Sequence, residues 1–273
     1  MWRLVYIIMC LGIISPAFQH TKEVCRLMQT HEICDYSDTD YQAFWADGRD
    51  YEDAVERIAI RKLTADFSGD CIEIGAGFGR LAEEYAPRCR SVLLTDRAEH
   101  LLDEARERMQ KLGLDNVSCE NVDLYELARL GRSFDAAICV RVLHHVECVQ
   151  DFFAQVADVL KPGGIFVLEY ANKRNALEIA RCLAGRSGVK PFDHEPSRRS
   201  DSVYYNFHPK YVEEQLKAAG FVIEDQMAVS LFRSARLKKA FGKEKLTKLE
   251  RPLQHPLGKL KLSPSVFLKL RKV

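Results

Sequence analysis

At 273 residues and 47% hydrophobic content the chain is long enough to bury a full core, and its composition is that of an ordinary globular protein. The 40 Lys and Arg nearly balance 39 Asp and Glu for a net charge of +1, which excludes a global attraction to nucleic acid or anionic lipid and leaves any such contact to local patches. Nine cysteines, at 10, 25, 34, 71, 89, 119, 139, 148 and 182, include no C-x-x-C pair, so their spacing indicates neither a zinc ribbon nor a redox dithiol.

The chain begins with Arg3 and an apolar run from Leu4 to Ile14, followed by Ser15-Pro16-Ala17. This has the outline of a secretory signal with a poor cleavage site, and it is short of the roughly 20 apolar residues that span a bilayer. Three readings are open: a signal or short anchor, an apolar arm packed on the domain, or a stretch translated ahead of the true start. A polar, acidic segment from His31 to Tyr41 comes next, and then Tyr51 to Leu63 has helical spacing, with Ala54, Val55, Ile58, Ala59 and Leu63 expected to face a sheet.

Cys71-Ile72-Glu73-Ile74 reads as a short apolar strand that runs into Gly75-Ala76-Gly77-Phe78-Gly79-Arg80, and a helix is expected to start near Arg80. Glycine at alternate positions lets backbone N–H groups come close to a ligand. A dinucleotide site prefers G-x-G-x-x-G, and arginine stands where its third glycine belongs. The next run, Ser91 to Thr95, ends in Asp96, 21 residues after Gly75, where an acidic residue is suited to hold ribose hydroxyls. Asn116 to Val122 leads to Asp123 and Leu124, and Phe134 to Val140 leads to Arg141-Val142-Leu143-His144-His145-Val146. Helical spacing from Val149 to Leu160 stops at Lys161-Pro162-Gly163-Gly164, since proline cannot continue the helix and glycine permits the left-handed turn. Ile165 to Tyr170 is again strand-like. Such alternation argues for a parallel sheet with helices on both faces, whose ligands sit beyond the carboxyl ends of the strands. Gly75, Asp96, Asp123 and Arg141 all fall at such ends and converge on one crevice.

Residues 172–208 break the alternation and are rich in Arg, Pro and aromatic residues, which reads as a substrate-side insertion. Pro209 to Ala219 has helical spacing with Gly220 as its stop, and Phe221 to Phe232 reads as a strand. Ala235 to Leu253 is basic and amphipathic, and Ser265 to Leu270 alternates well enough for a final strand. From Arg233 onward cations greatly outnumber Glu244 and Glu250, a solvated helical face or, as the alternative, a contact for RNA or a membrane surface.

Glu73-x-Gly75-x-Gly77-x-Gly79 resembles motif I of the class I S-adenosylmethionine-dependent methyltransferases, and Phe134 to Val146 resembles motif IV with its following turn. With the Asp96, Asp123 and Lys-Pro-Gly-Gly positions in order, the likeness covers residues 65–230. It is to the small-molecule type that includes ubiquinone and menaquinone biosynthesis enzymes. The resemblance implies an α/β fold: a three-layer, Rossmann-like, seven-stranded, mostly parallel sheet with helices on both faces and the last strand antiparallel. It divides the chain into a leader or arm (1–20), a helical segment over the cofactor pocket (21–65, with Tyr41, Phe44, Trp45 and Arg49 placed to close it), and the methyltransferase domain (66–273) with its insertion at 172–208. S-adenosyl-L-methionine is the implied cofactor, held by Glu73, Gly75, Ala76, Gly77, Gly79, Arg80, Asp96, Arg97, Asp123, Leu124 and Arg141. His144 and His145 are the catalytic candidates. Tyr170, Asn172, His194, Tyr204, Tyr205 and His208 are the acceptor-side candidates. Positions 141–145 lack the Asp-Asp-Asn cluster of metal-dependent catechol enzymes, so no metal is expected. The implied partner is a small acceptor and no DNA. A cytosolic cofactor and cysteines in core strands point to the cytoplasm, with membrane association through the apolar N-terminus as the alternative. Two competing functions remain: a noncatalytic cofactor-binding or interaction protein that works through its basic C-terminal surface, and a nucleotide-dependent oxidoreductase, against which Arg80 counts.

Overall fold

The computed structural model describes residue 45 and residues 48–198 and 203–273. The expected leader, and Tyr41 and Phe44, lie outside these residues. Helix α1 (Asp50–Leu63) places Asp50, Glu52 and Asp53 in its first turn and Arg61 and Lys62 in its last, each sign opposite to the end of the macrodipole it faces. Its buried stripe is Tyr51, Glu52, Val55, Glu56, Ala59, Ile60 and Leu63. Ala54 and Ile58, expected inward, are only half-buried. The helix is rotated because Glu52 and Glu56 find cationic partners inside, a preference that hydrophobic periodicity cannot register.

Seven strands form the main sheet: β1 (Asp70–Ile74), β2 (Ser91–Asp96), β3 (Val117–Asn121), β4 (Phe134–Cys139), β5 (Leu160–Ala171), β8 (Phe221–Val229) and β9 (Ser265–Lys272). Their order is β3-β2-β1-β4-β5-β9-β8. The first five are parallel to their neighbours, and β9 runs antiparallel between β5 and β8. The expected seven-stranded, mostly parallel sheet is therefore the observed one. The strand order reverses at β1, with β2 on one side and β4 on the other. A crevice opens at such a switch point beyond the carboxyl ends of the strands.

Alternate strand residues feed two apolar layers. Cys71, Val92, Leu94, Ala136, Ile138 and Val167 pack with Val55, Ala59 and Leu63 of α1 and with Ala105 and Met109 of helix α2 (Glu99–Leu112). On the other face Ile72, Leu93, Ala137, Phe166 and Leu168 meet Phe152, Phe153 and Val156 of α3 (Val149–Val159). Each Val, Leu, Ile, Phe or Met side chain among them contributes about 1.5–3 kcal/mol by leaving water.

Three departures from the sequence reading have local causes. The segment after the glycine turn forms two 3-10 turns, Ala82–Glu84 and Ala86–Arg88, in place of an α-helix; Pro87 lacks the N–H and clashes with the preceding turn. The Lys161–Gly164 run lies inside β5: Leu160 pairs with Phe134, pairing resumes at Ile165 with Ala136, and Gly163 takes φ 74°. The 172–208 segment contains helix α4 (Ala176–Leu183) and the small hairpin of β6 (Ser197–Arg198) and β7 (Tyr205–Asn206). Beyond it α5 (Pro209–Ala218) precedes β8, and the basic stretch between β8 and β9 folds as α6 (Ala235–Phe241), α7 (Lys243–Glu250) and α8 (Gln254–Gly258). Among the described residues no helix is long and apolar enough to cross a membrane.

Candidate functional site

The crevice is lined by Gly75, Gly77, Asp96, Arg97, Asp123, Leu124, Tyr125, Arg141, Val142 and His145, with Ile74, Leu101 and Val122 at its base. Gly75 closes β1 at φ 69°, and a Cβ there would lie 2.3 Å from a methyl of Val142. Any other residue there would have to displace the Val142 side chain and hold a left-handed backbone that favours glycine. Gly77 donates its N–H to Asp96 Oδ2 at 2.8 Å, and Ala98 donates to Oδ1 at 2.9 Å. Asp96 thus ties the glycine turn to the end of β2 and keeps further lone pairs for hydroxyl donors. Asp123 accepts from the Tyr125 N–H at 2.9 Å and lies 3.8 Å from Arg97 Nε.

Arg141 holds the opposite wall. Its backbone sits in the left-handed region at φ 64°, a conformation that costs a non-glycine residue about 1–3 kcal/mol. Its N–H donates to Glu169 Oε2 at 3.0 Å, and its guanidinium donates to Glu56 Oε1 through Nε at 2.8 Å and Nη2 at 2.5 Å. Glu56 is fully buried and also accepts from Arg80 Nη2 at 2.7 Å. Arg80 completes the network with Asp53 at 2.5 Å, and its guanidinium carbon lies 3.7 Å from the centre of the Trp45 ring. Burial raises the Glu169 carboxyl above its usual range, and the Arg141 charge opposes that rise.

His145 faces the crevice from the turn after β4. Its Nδ1 lies 2.8 Å from the Val203 carbonyl oxygen; a carbonyl only accepts, so Nδ1 carries the proton and Nε2 is the nitrogen able to take one. Burial holds the His145 pKa below its ordinary 6.5, against the pull of the Val203 hydrogen bond. The rings of His144 and Tyr204 complete the cluster, centred 4.0 Å from His145 and 4.6 Å from His144 respectively. His144 is buried, and that burial drives its pKa well below 6.5. Among the described residues no group of three or more His, Cys, Asp or Glu is placed to hold a metal ion.

Residues 72–166 match the family described as a methyltransferase domain. These residues carry a methyltransferase domain, and they include the motifs that resemble the class I S-adenosylmethionine-dependent methyltransferases. A ubiquinone biosynthesis O-methyltransferase of Dinoroseobacter shibae is 32% identical over 118 residues, 43% of this chain and 47% of the relative. The chain therefore spans about half the length of that curated relative. Among solved structures, magnesium protoporphyrin IX methyltransferase of Synechocystis with bound S-adenosylhomocysteine superposes with a TM-score of 0.55 at 16% identity, covering 93% of this chain and 95% of that one. The cyclase SpnF superposes with a TM-score of 0.56 at 20% identity, covering 80% and 81%. At these identities the likeness concerns the fold alone.

Of the sequence-derived cofactor candidates, the fold brings Gly75, Gly77, Asp96, Arg97, Asp123, Leu124 and Arg141 to the crevice wall. The Ala76 N–H is spent on the Thr95 carbonyl at 2.9 Å, and Gly79 donates to the Ala76 carbonyl at 3.0 Å. Arg80 points away from the crevice into the Glu56 network. Glu73 is buried against Tyr85, whose hydroxyl donates to Oε2 at 2.5 Å. On the acceptor side only Tyr204 joins the histidines. Tyr170 is buried in the core of β5. Asn172 spends its amide on the carbonyls of Lys261 at 2.8 Å and Ser263 at 2.9 Å. His208 caps α5 by accepting from the Lys210 N–H, His194 lies 2.9 Å from Glu214, and Tyr205 packs near Phe207 with ring centres 6.2 Å apart. Sequence reasoning missed Glu56 and Glu169. The available signal was an acidic side chain in the middle of an otherwise inward-facing apolar stripe.

Burial pushes the Glu73 carboxyl up to about 7, opposed by the Tyr85 hydroxyl and the Arg80 charge. A folded-state pKa above the ordinary carboxyl value gives stability that is complete below about 4.5 and lost as pH rises through about 7. Glu73→Gln mimics the protonated acid. Its stability relative to the natural protein is therefore expected to improve by up to about 3 kcal/mol between pH 4.5 and 8. Urea unfolding at both pH values checks this, and a pH-independent difference would assign the titration to another group.

Proposed function

We propose that the chain binds S-adenosyl-L-methionine in this crevice and transfers its methyl group to a hydroxyl of a small, lipophilic acceptor. The observation that carries the reading is that one crevice joins the glycine turn and two strand-end carboxylates to the cluster of Arg141, His145 and Tyr204. Gly75 and Gly77 would leave room for the cofactor, Asp96 would accept from its ribose hydroxyls, Asp123 and Leu124 would hold its adenine, and Arg141 would offer a cation to its carboxylate. These residues fit the group because the turn tolerates no Cβ at Gly75 and Asp96 already stands braced against it. When bound, the sulfonium supplies an electrophilic methyl group, so the chain has chiefly to align the acceptor and exclude water. His145 Nε2 takes the acceptor's hydroxyl proton as oxygen becomes the nucleophile. The Nδ1–Val203 bond keeps that nitrogen oriented, and the Tyr204 ring packs beside His144 and His145. The relative's O-methyltransferase name supports oxygen as the methylated atom.

The shared fold of a cyclase makes turnover, not fold, the deciding test, because a noncatalytic binding protein would keep the same crevice. Calorimetric titration with S-adenosylmethionine, S-adenosylhomocysteine and NADH, followed by release of S-adenosylhomocysteine with a panel of hydroxylated aromatics, separates the readings. Binding of both adenosyl compounds with acceptor-dependent release is expected. Binding without release would favour the noncatalytic reading, and NADH binding alone would overturn the cofactor assignment.

In the same titration Asp96→Ala is expected to weaken S-adenosylhomocysteine by roughly 10- to 100-fold, the loss of charge-assisted hydrogen bonds worth about 1.5–3 kcal/mol. Asp96→Asn keeps an oxygen that can accept from Gly77 and should fall between the two. Unchanged affinity in the alanine variant would remove Asp96 from the binding site.

A further inference from the structure

Beneath the glycine turn two thiols that are far apart in the sequence meet. Cys71 on β1 and Cys89, just before β2, are 18 residues apart and place their sulfurs 3.1 Å from one another. Both backbones are held. Cys71 sits between strand partners Val92 and Ala136, and the Cys89 carbonyl accepts from Asn116 Nδ2 at 2.9 Å while its N–H donates to the Ala86 carbonyl at 3.0 Å. About 1 Å of closure separates this pair from a covalent S–S bond of roughly 2.05 Å. Both are buried, Cys71 completely and Cys89 with 8% of its surface exposed, and the Cys89 sulfur also approaches the Tyr85 carbonyl at 3.4 Å.

We propose that Cys71 and Cys89 form an oxidative modification site at which hydrogen peroxide converts the thiol pair to a disulfide that staples the segment carrying the cofactor turn. The Cys89 sulfur attacks one peroxide oxygen, the O–O bond breaks, and water leaves as the sulfenic acid forms. Cys71 then attacks the Cys89 sulfur, the S–O bond breaks, and a second water carries away the Cys71 proton. One peroxide is reduced to two waters while two thiols are oxidised to one disulfide. The roles follow the environment. The hydrogen bond from Cys71 holds the Cys89 thiol below its usual range, helped by the Arg88 charge, and the same contact together with burial pushes the Cys71 thiol up. A low-pKa thiol beside a resolving thiol is the arrangement of a peroxide-sensitive pair. The closed loop contains the whole Glu73 to Gly79 motif, so the bond restrains the unfolded chain over the segment that must be ordered to bind.

The full chain, reduced and then freed of reductant, is treated with hydrogen peroxide, alkylated, digested and mapped by mass spectrometry. The expected product joins the Cys71 and Cys89 peptides with the loss of two hydrogens, is reversed by dithiothreitol, and raises the melting temperature by roughly 5–10 °C. Cys89→Ala should lose both the cross-link and the peroxide-dependent rise. The cross-link is read on the natural sequence, so the result does not depend on that variant folding. Alkylation of both thiols after peroxide, to the extent seen for buried Cys139, would overturn the proposal. So would over-oxidation of Cys89 with Cys71 still alkylated. A cross-link that leaves the melting temperature unchanged would overturn the stapling role.

Discussion

Glu56→Ala is expected to cost about 3–5 kcal/mol of stability, because it strands two guanidinium groups that share one buried carboxylate. Glu56 accepts from Arg141 through Oε1 and from Arg80 through Oε2. Arg80 would keep Asp53 and the face of Trp45, so most of the loss falls on Arg141, whose side chain is only 19% exposed. For a chain of this size each kcal/mol moves the melting temperature by about 2–4 °C, so a drop of roughly 6–20 °C is the readout. Glu56→Gln retains acceptor geometry at one oxygen and should lose less. Pairing Glu56→Ala with Arg141→Met should recover part of the loss, since the second change removes the charge left unpaired. Arg141 lines the crevice, so S-adenosylhomocysteine affinity should fall along with stability in the single variant. A loss below about 1 kcal/mol would mean that water enters the network and the carboxylate is not its hub.

The sheet was legible because its central strands are buried on both faces and therefore read as short apolar runs ended by glycine or acid. Ile72, Leu93, Ile138 and Val167 all behave this way, and the alternation of strand and helix set their parallel order. The final pair was readable for a different reason: Ser265 to Leu270 alternates, and β9 pairs antiparallel on both sides. The placement of Asp96 and Arg141 in one crevice followed from strand ends alone. What stayed hidden depends on partners distant in sequence. Glu56 lies 85 residues from Arg141, and its place on the inward stripe of the helix marks it as buried without telling which cation it meets. Asn172 and His208 looked like acceptor ligands because they are polar residues in an aromatic-rich insertion. Their hydrogen bonds instead go to the chain itself, Asn172 to carbonyls 89 and 91 residues away and His208 to the first turn of α5. The pairing of Cys71 with Cys89 was hidden for the same reason, since only the return of the chain before β2 brings the sulfurs together.

His145→Gln is expected to lower turnover by about 100- to 10,000-fold, the usual worth of a positioned general base, while S-adenosylhomocysteine affinity stays within about threefold. Glutamine preserves bulk and a polar end but cannot take a proton near neutral pH. The sign of the pH dependence follows from the environment. Burial lowers the His145 pKa below 6.5, so the base is neutral and competent at pH 7 and is lost only as pH falls through that depressed value. The acid limb of kcat against pH should therefore lie below pH 6.5 in the natural enzyme and vanish in the variant. Tyr204→Phe keeps the ring against His144 and should act mainly on acceptor KM, because it changes a packing wall and not the proton acceptor. His144→Gln is expected to fall between the two, since that ring contacts both His145 and Tyr204. These effects are measured with whichever hydroxylated aromatic the acceptor screen returns. The outcome also reports on that acceptor: a hydroxyl that ionises near neutral pH asks little of a base. A loss under about tenfold with the acid limb intact would mean that the acceptor arrives as its anion, leaving His145 to orient it and not to deprotonate it.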